Sequence, residues 1–153
     1  TREQGFKGAA DWTAISKVRE ALTIPLIANG DINSPDDALR CLNQTGAAGV
    51  MVGRGTMGAP WLVGQIDAAL AGRAIPSTPN PSSRLALARD QLDGLVQDRG
   101  DHGLLIARKH MGWTCTGFPG ASRLRHDLMR ADTPSQARDL LTKQIDALAA
   151  SAS

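Results

Sequence analysis

The sequence predicts an α/β segment followed by an all-α one, the last βα units of a (β/α)8 TIM barrel and then a C-terminal helical bundle. Three observations carry this. Two short apolar runs alternate with helical periodicity in the first half of the chain, and each run ends in a glycine-containing turn. Beyond a proline-rich stretch, only helical periodicity remains. Helix, strand, helix, strand in that order implies βα units with right-handed crossovers and a parallel sheet.

The first helix is capped by Asp11 and carries Trp12, Ile15, Val18 and Leu22 at three- and four-residue spacing, with Pro25 beyond its end. Ile24, Leu26, Ile27 and Ala28 then form an apolar run ending at Asn29-Gly30, the pattern of a strand buried on both faces. Ser34-Pro35-Asp36-Asp37 supplies a cap, a proline at the first helical position and two acids for the helix N-terminus; Ala38, Leu39 and Leu42 give the apolar face, and Gly46 ends the helix. Gly49-Val50-Met51-Val52 is the second strand, cut off by Gly53-Arg54-Gly55. After Pro60-Trp61 a further helix runs through Leu62, Ile66 and Leu70 to Gly72.

The three prolines between Arg73 and Pro81 leave few ways to make regular structure and mark a domain boundary. The expected organisation is residues 1–75 as the barrel part, 76–81 as the end of a linker and 82–153 as a helical domain. Its helices are read as 82–97, 104–113, 122–129 and 134–149, the last starting at Asp132-Thr133-Pro134 and carrying Leu140, Leu141, Ile145 and Leu148.

With 42% apolar and 21% charged residues the chain has the composition of a globular protein with a core. The net charge of +2 is too small to name a partner, but it is unevenly spread. The first 75 residues balance, whereas residues 76–153 hold ten basic and eight acidic side chains and all three histidines. Cys41 and Cys115 are isolated, without metal-ligand spacing, so neither a disulfide scaffold nor a metal site is expected. Each reads as a small apolar core residue. No leader-like segment or long apolar run is visible, and the reading is of a cytoplasmic chain with no membrane contact. The chain opens at Thr1 and enters mid-motif, so a fragment of a longer polypeptide is expected.

The two strand ends are the informative positions. In (β/α)8 barrels the loops at strand C-termini build the active site, and a phosphate commonly sits on the last two. Asn29-Gly30-Asp31 and Gly53-Arg54-Gly55 fall there. Glycine admits an anion close to backbone N–H groups, and arginine offers paired bonds to phosphate oxygens. A phosphorylated ligand is the inference, against the plainer one that these glycines serve tight turns. In the helical half, Arg108, Lys109, Arg123, Arg125 and Arg130 stand against the single acid Asp127 within 108–130. That excess suits a phosphate backbone, the alternative being a solvated helix face. His110 and Trp113 could stack on a base, although a tryptophan at helical spacing is more often core.

Thr1-Arg2-Glu3-Gln4, Gly8-Ala9-Ala10-Asp11-Trp12, Ile24-Pro25-Leu26-Ile27-Ala28-Asn29-Gly30-Asp31-Ile32, Gly49-Val50-Met51-Val52-Gly53-Arg54-Gly55 with Pro60-Trp61, Ala107-Arg108-Lys109-His110 and Gly117-Phe118-Pro119-Gly120-Ala121 together resemble the tRNA-dihydrouridine synthases. The resemblance covers nearly the whole chain and is strongest to the bacterial branch once described with nitrogen regulation. It implies an FMN enzyme that uses NADPH to reduce uridine to 5,6-dihydrouridine in tRNA. Asn29, Gly30 and Asp31 would line the ribityl and phosphate region of the flavin, and Gly53 and Arg54 would hold its phosphate. Arg108, Lys109, His110, Arg123 and Arg125 would contact tRNA.

Thr1 and Arg2 look like the end of a histidine-containing motif. The catalytic cysteine, which in the family gives a proton to C5 while the reduced flavin gives hydride to C6, is expected upstream, so no catalytic residue is assigned here. By itself the chain is expected to be inactive and to self-associate through uncovered barrel surface. The rival readings are another FMN-binding barrel oxidoreductase, such as a dihydroorotate-dehydrogenase-like flavoprotein, and a non-catalytic RNA-binding or regulatory module.

Overall fold

A computed structural model of the chain describes residues 7–151. The chain divides between Ser77 and Thr78 into two compact units.

The first unit runs α1 (Trp12–Glu20), β1 (Ile27–Asn29), α2 (Pro35–Thr45), β2 (Gly49–Met51), a 3-10 turn over Arg54–Thr56 and α3 (Leu62–Leu70). The Asp11 side chain caps α1 by accepting from the Ala14 N–H at 3.1 Å. Ser34 caps α2 through Asp37 N–H, and Gly46 ends α2 in the left-handed conformation that glycine adopts at little cost. The strands pair in parallel, Ile27 with Gly49, Ala28 with Val50 and Asn29 with Met51.

The strand and helix faces differ in part from expectation. Ala28 is fully buried, packed in one core with Ile32, Ala38, Cys41, Leu62 and Ile66, whereas Ile27 and Met51 on the opposite face are 57% and 50% exposed. Only the face turned to α2 and α3 is covered among the described residues. On α2 the buried positions are Ala38, Cys41 and Thr45; Ala38 is buried as predicted and Leu42 is half-buried, whereas Leu39 lies open and Cys41 takes a core position instead. Val18, expected on the apolar face of α1, is 53% exposed. These uncovered residues make a concrete expectation. The 153-residue chain alone should associate at micromolar concentration, giving a light-scattering mass above the monomer that rises with concentration. A concentration-independent monomer mass would contradict it.

The second unit is four helices around one core: α4 (Pro81–Arg99), α5 (His102–Thr114), α6 (Ala121–Leu128) and α7 (Pro134–Ala150). Leu85, Leu92, Met111, Leu128 and Leu141 are completely or almost completely buried there. Asn80, read from sequence as linker, caps α4 by accepting from Ser83 N–H at 2.9 Å, with Pro81 at the first helical position. Thr133 caps α7 in the same way through Gln136 N–H. The α4–α5 corner is tight. A Cβ on Gly103 would lie 2.3 Å from the Leu95 carbonyl oxygen, so only a glycine permits this approach. Among the described residues no helix is long and apolar enough to cross a membrane.

Candidate phosphate site and basic helices

The carboxyl ends of both strands open into one cavity of about 600 Å³, lined by residues 7–10, 29–33 and 53–55. All five residues predicted for the cofactor, Asn29, Gly30, Asp31, Gly53 and Arg54, line it.

Asp31 ties the cavity together. It sits at φ 51°, a left-handed conformation that Asp tolerates better than most residues. One carboxylate oxygen accepts from the Ala10 N–H at 2.7 Å, and the other accepts from Arg54 Nη2 at 2.8 Å. Two loops 23 residues apart are thereby brought together, and the guanidinium stands at the cavity instead of pointing away from it. The backbone packs closely behind. Trp12 Nε1 donates to the Gly30 carbonyl at 3.0 Å. A Cβ on Gly30 would fall 2.5 Å from the Ala10 Cβ, and one on Gly55 would fall 2.4 Å from the Ile32 carbonyl. Those two glycines are required by loop packing. Gly53 differs, since a Cβ there would meet no protein atom within 4 Å.

Sequence reasoning left Lys7, Gly8, Ala9, Ala10 and Asn33 out of the site, although they line the same cavity. Gly8-Ala9-Ala10 stood in the family-like motif, but the long-range bond from the Ala10 amide to Asp31 has no local signature. Thr1 and Arg2, read as the end of a histidine motif, lie outside the described residues.

Of the basic residues, Lys109, Arg123 and Arg125 are exposed on α5 and α6. Arg123 also pairs with Asp127 one helical turn on, at 2.9 Å. Arg125 runs beside Gly112 of α5, and the nearest neighbour of a Cβ there would be the Met129 methyl at 3.3 Å. Arg108 is narrowed to a different task. Its Nη2 donates to the Ala131 carbonyl at 2.9 Å, closing the chain just after α6 onto α5, and its Nε is buried without a hydrogen-bond partner, so part of its guanidinium is turned to the fold. His110 meets Trp113 edge to face, with ring centroids 5.2 Å apart, and burial, helped by the neighbouring Lys109 charge, lowers its pKa. Neutral imidazole is therefore the form at pH 7. Arg84, which the sequence did not single out, donates to the Thr116 carbonyl at 3.3 Å at the start of the loop between α5 and α6.

Both thiols are buried. Burial raises the Cys41 thiol against an opposing hydrogen bond from Thr45, and burial pushes Cys115 to about 11 despite the nearby Arg125 charge. Each stays protonated at neutral pH inside an apolar core. Among the described residues no cluster of His, Cys, Asp and Glu could hold a metal ion.

This arrangement coincides with a match along nearly the whole sequence. A family model described as dihydrouridine synthase covers residues 1–151. The chain belongs to the dihydrouridine synthase family. It is 44% identical over 145 residues to a probable tRNA-dihydrouridine synthase 1 of Synechocystis, covering 95% of this chain and 41% of that protein. It is 48% identical over 136 residues to a probable tRNA-dihydrouridine synthase of Rhodobacter capsulatus, covering 88% and 41%. To tRNA-dihydrouridine synthase B of Xanthomonas axonopodis it is 39% identical over 155 residues, covering 98% and 46%. The chain thus spans less than half the length of these dihydrouridine synthases.

Proposed function

We propose that this chain is the FMN-phosphate-binding and tRNA-binding portion of a cytoplasmic tRNA-dihydrouridine synthase that reduces uridine to 5,6-dihydrouridine with NADPH. The observation that carries the reading is the Asp31–Arg54 pair, which sets a guanidinium and two glycine-bearing loops on one cavity at the ends of adjacent parallel strands. That is where phosphorylated cofactors sit in barrel enzymes.

The residues fit the cofactor. Packing accounts for Gly30 and Gly55, and the open space over Gly53 leaves its backbone accessible to a ligand. Arg54 would hold the phosphate by charge-assisted bonds, and Asn29 and Gly30 would line the ribityl chain. The exposed strand face bearing Ile27, Asn29 and Met51 supports further barrel strands in the intact protein, since an apolar face of this kind is normally covered. When bound, the flavin supplies the hydride-transfer chemistry for the C5–C6 bond. This chain's part is to bind and orient; neither Cys41 nor Cys115 serves as the proton donor, because both are buried in apolar cores and neither lines the cavity.

Lys109, Arg123 and Arg125 would hold the tRNA backbone, giving affinity and register without reading sequence. Lys109→Ala in the intact protein is expected to weaken tRNA binding and to lower the slope of log affinity against log salt by about 1. An unchanged slope would remove Lys109 from the interface. The function as a whole is tested by purifying the intact protein and supplying unmodified tRNA and NADPH. Expected are bound FMN and new dihydrouridine, and a flavin-free protein that binds tRNA without modifying it would favour a non-catalytic module.

A further inference from the structure

We infer that Asp31 is a positioning residue that holds Arg54 across the phosphate site and so sets the selectivity for a phosphorylated flavin. The inference rests on the phosphate reading above. Asp31 uses both carboxylate oxygens on donors from different segments, the Ala10 amide at 2.7 Å and Arg54 Nη2 at 2.8 Å. Only a carboxylate does this. Asparagine tolerates the same φ of 51° and has nearly the same size, but it offers one acceptor oxygen and sets an amide donor against the second N–H.

The Arg54 side chain is 53% exposed, long and rich in rotamers, and without an anchor it must be ordered when the phosphate arrives. Pairing with Asp31 orders it beforehand. The carboxylate also brings a negative charge near an anion site, so two opposed effects meet there. Positioning dominates because the paired guanidinium offsets the carboxylate charge, and because the second carboxylate oxygen fixes Asp31 itself to the Ala10 backbone.

The test measures the dissociation constants of FMN and of riboflavin, which lacks the phosphate, on the intact protein stripped of flavin. Wild type, Asp31→Asn, Arg54→Ala and the double variant are compared. Asp31→Asn is expected to reduce the preference for FMN over riboflavin by about 2- to 10-fold, the effect of one side chain left to be ordered on binding, beyond whatever affinity both flavins lose together. In the Arg54→Ala background, adding Asp31→Asn should not change that preference. If Arg54→Ala loses the preference while Asp31→Asn keeps or increases it, or weakens both flavins equally, the positioning role is overturned and the phosphate site stands. If Arg54→Ala leaves the preference intact, the phosphate reading falls and this inference with it.

Discussion

Arg54→Ala is expected to weaken FMN binding to the intact protein by about 10- to 100-fold, the loss of charge-assisted hydrogen bonds worth roughly 1.5–3 kcal/mol. The group lines the cavity and is held there by Asp31 at 2.8 Å. Its removal leaves the glycine-bearing backbone in place, so some affinity for the isoalloxazine and ribityl parts should remain. Arg54→Lys should fall between the two, since an ammonium keeps the charge but cannot make the planar paired contact. Flavin fluorescence during titration of the stripped protein reads the effect, and equal affinity in Arg54→Ala would remove the arginine from the site.

The second large effect is expected far from the chemistry. Gly103→Ala should destabilise the helical unit by about 3 kcal/mol, the upper end of ordinary overpacking costs. The new Cβ would meet backbone atoms of Leu95 and Val96 at 2.3–2.7 Å, and backbone cannot rotate away as a side chain can. The gain of about 1 kcal/mol in helix propensity works against this and is the smaller effect. Gly94→Ala on α4 is the matched comparison: that glycine is exposed and its Cβ would touch nothing, so the substitution should stabilise by about 0.5–1 kcal/mol. Denaturant unfolding followed by helical circular dichroism separates the two. Equal effects at 94 and 103 would mean that the α4–α5 approach is looser than described.

Much of the fold was legible because its signals are local. Ser34-Pro35 and Thr133-Pro134 name a cap and a first helical residue within two positions, and both helices begin there. Asn80-Pro81 carries the same signal, but three prolines in nine residues masked it as linker. Faces were read less well. On α2, Leu39 and Cys41 compete for the inward stripe, and hydrophobicity alone favours the leucine, whereas the space beside Ala28 is filled by the smaller thiol. The strands read as buried on both faces because apolar runs do not say what covers them, and Ile27 and Met51 are open.

At the site, residue types and strand ends pointed to Asn29, Gly30, Asp31, Gly53 and Arg54, and all five share a cavity. The bonds that organise it were invisible, since Asp31 reaches back 21 residues to Ala10 and forward 23 to Arg54. Arg108 illustrates the same limit. Its charge resembled that of Lys109 next to it, and only folding reveals that one guanidinium is spent on the Ala131 carbonyl while the neighbouring ammonium stays in solvent.

A crystal structure of the intact protein with FMN tests the central claim most directly. The predicted result is the flavin phosphate between the two strand-end loops, with Arg54 nitrogen atoms about 2.7–2.9 Å from its oxygens. A phosphate bound elsewhere, with Arg54 touching only Asp31, would contradict it.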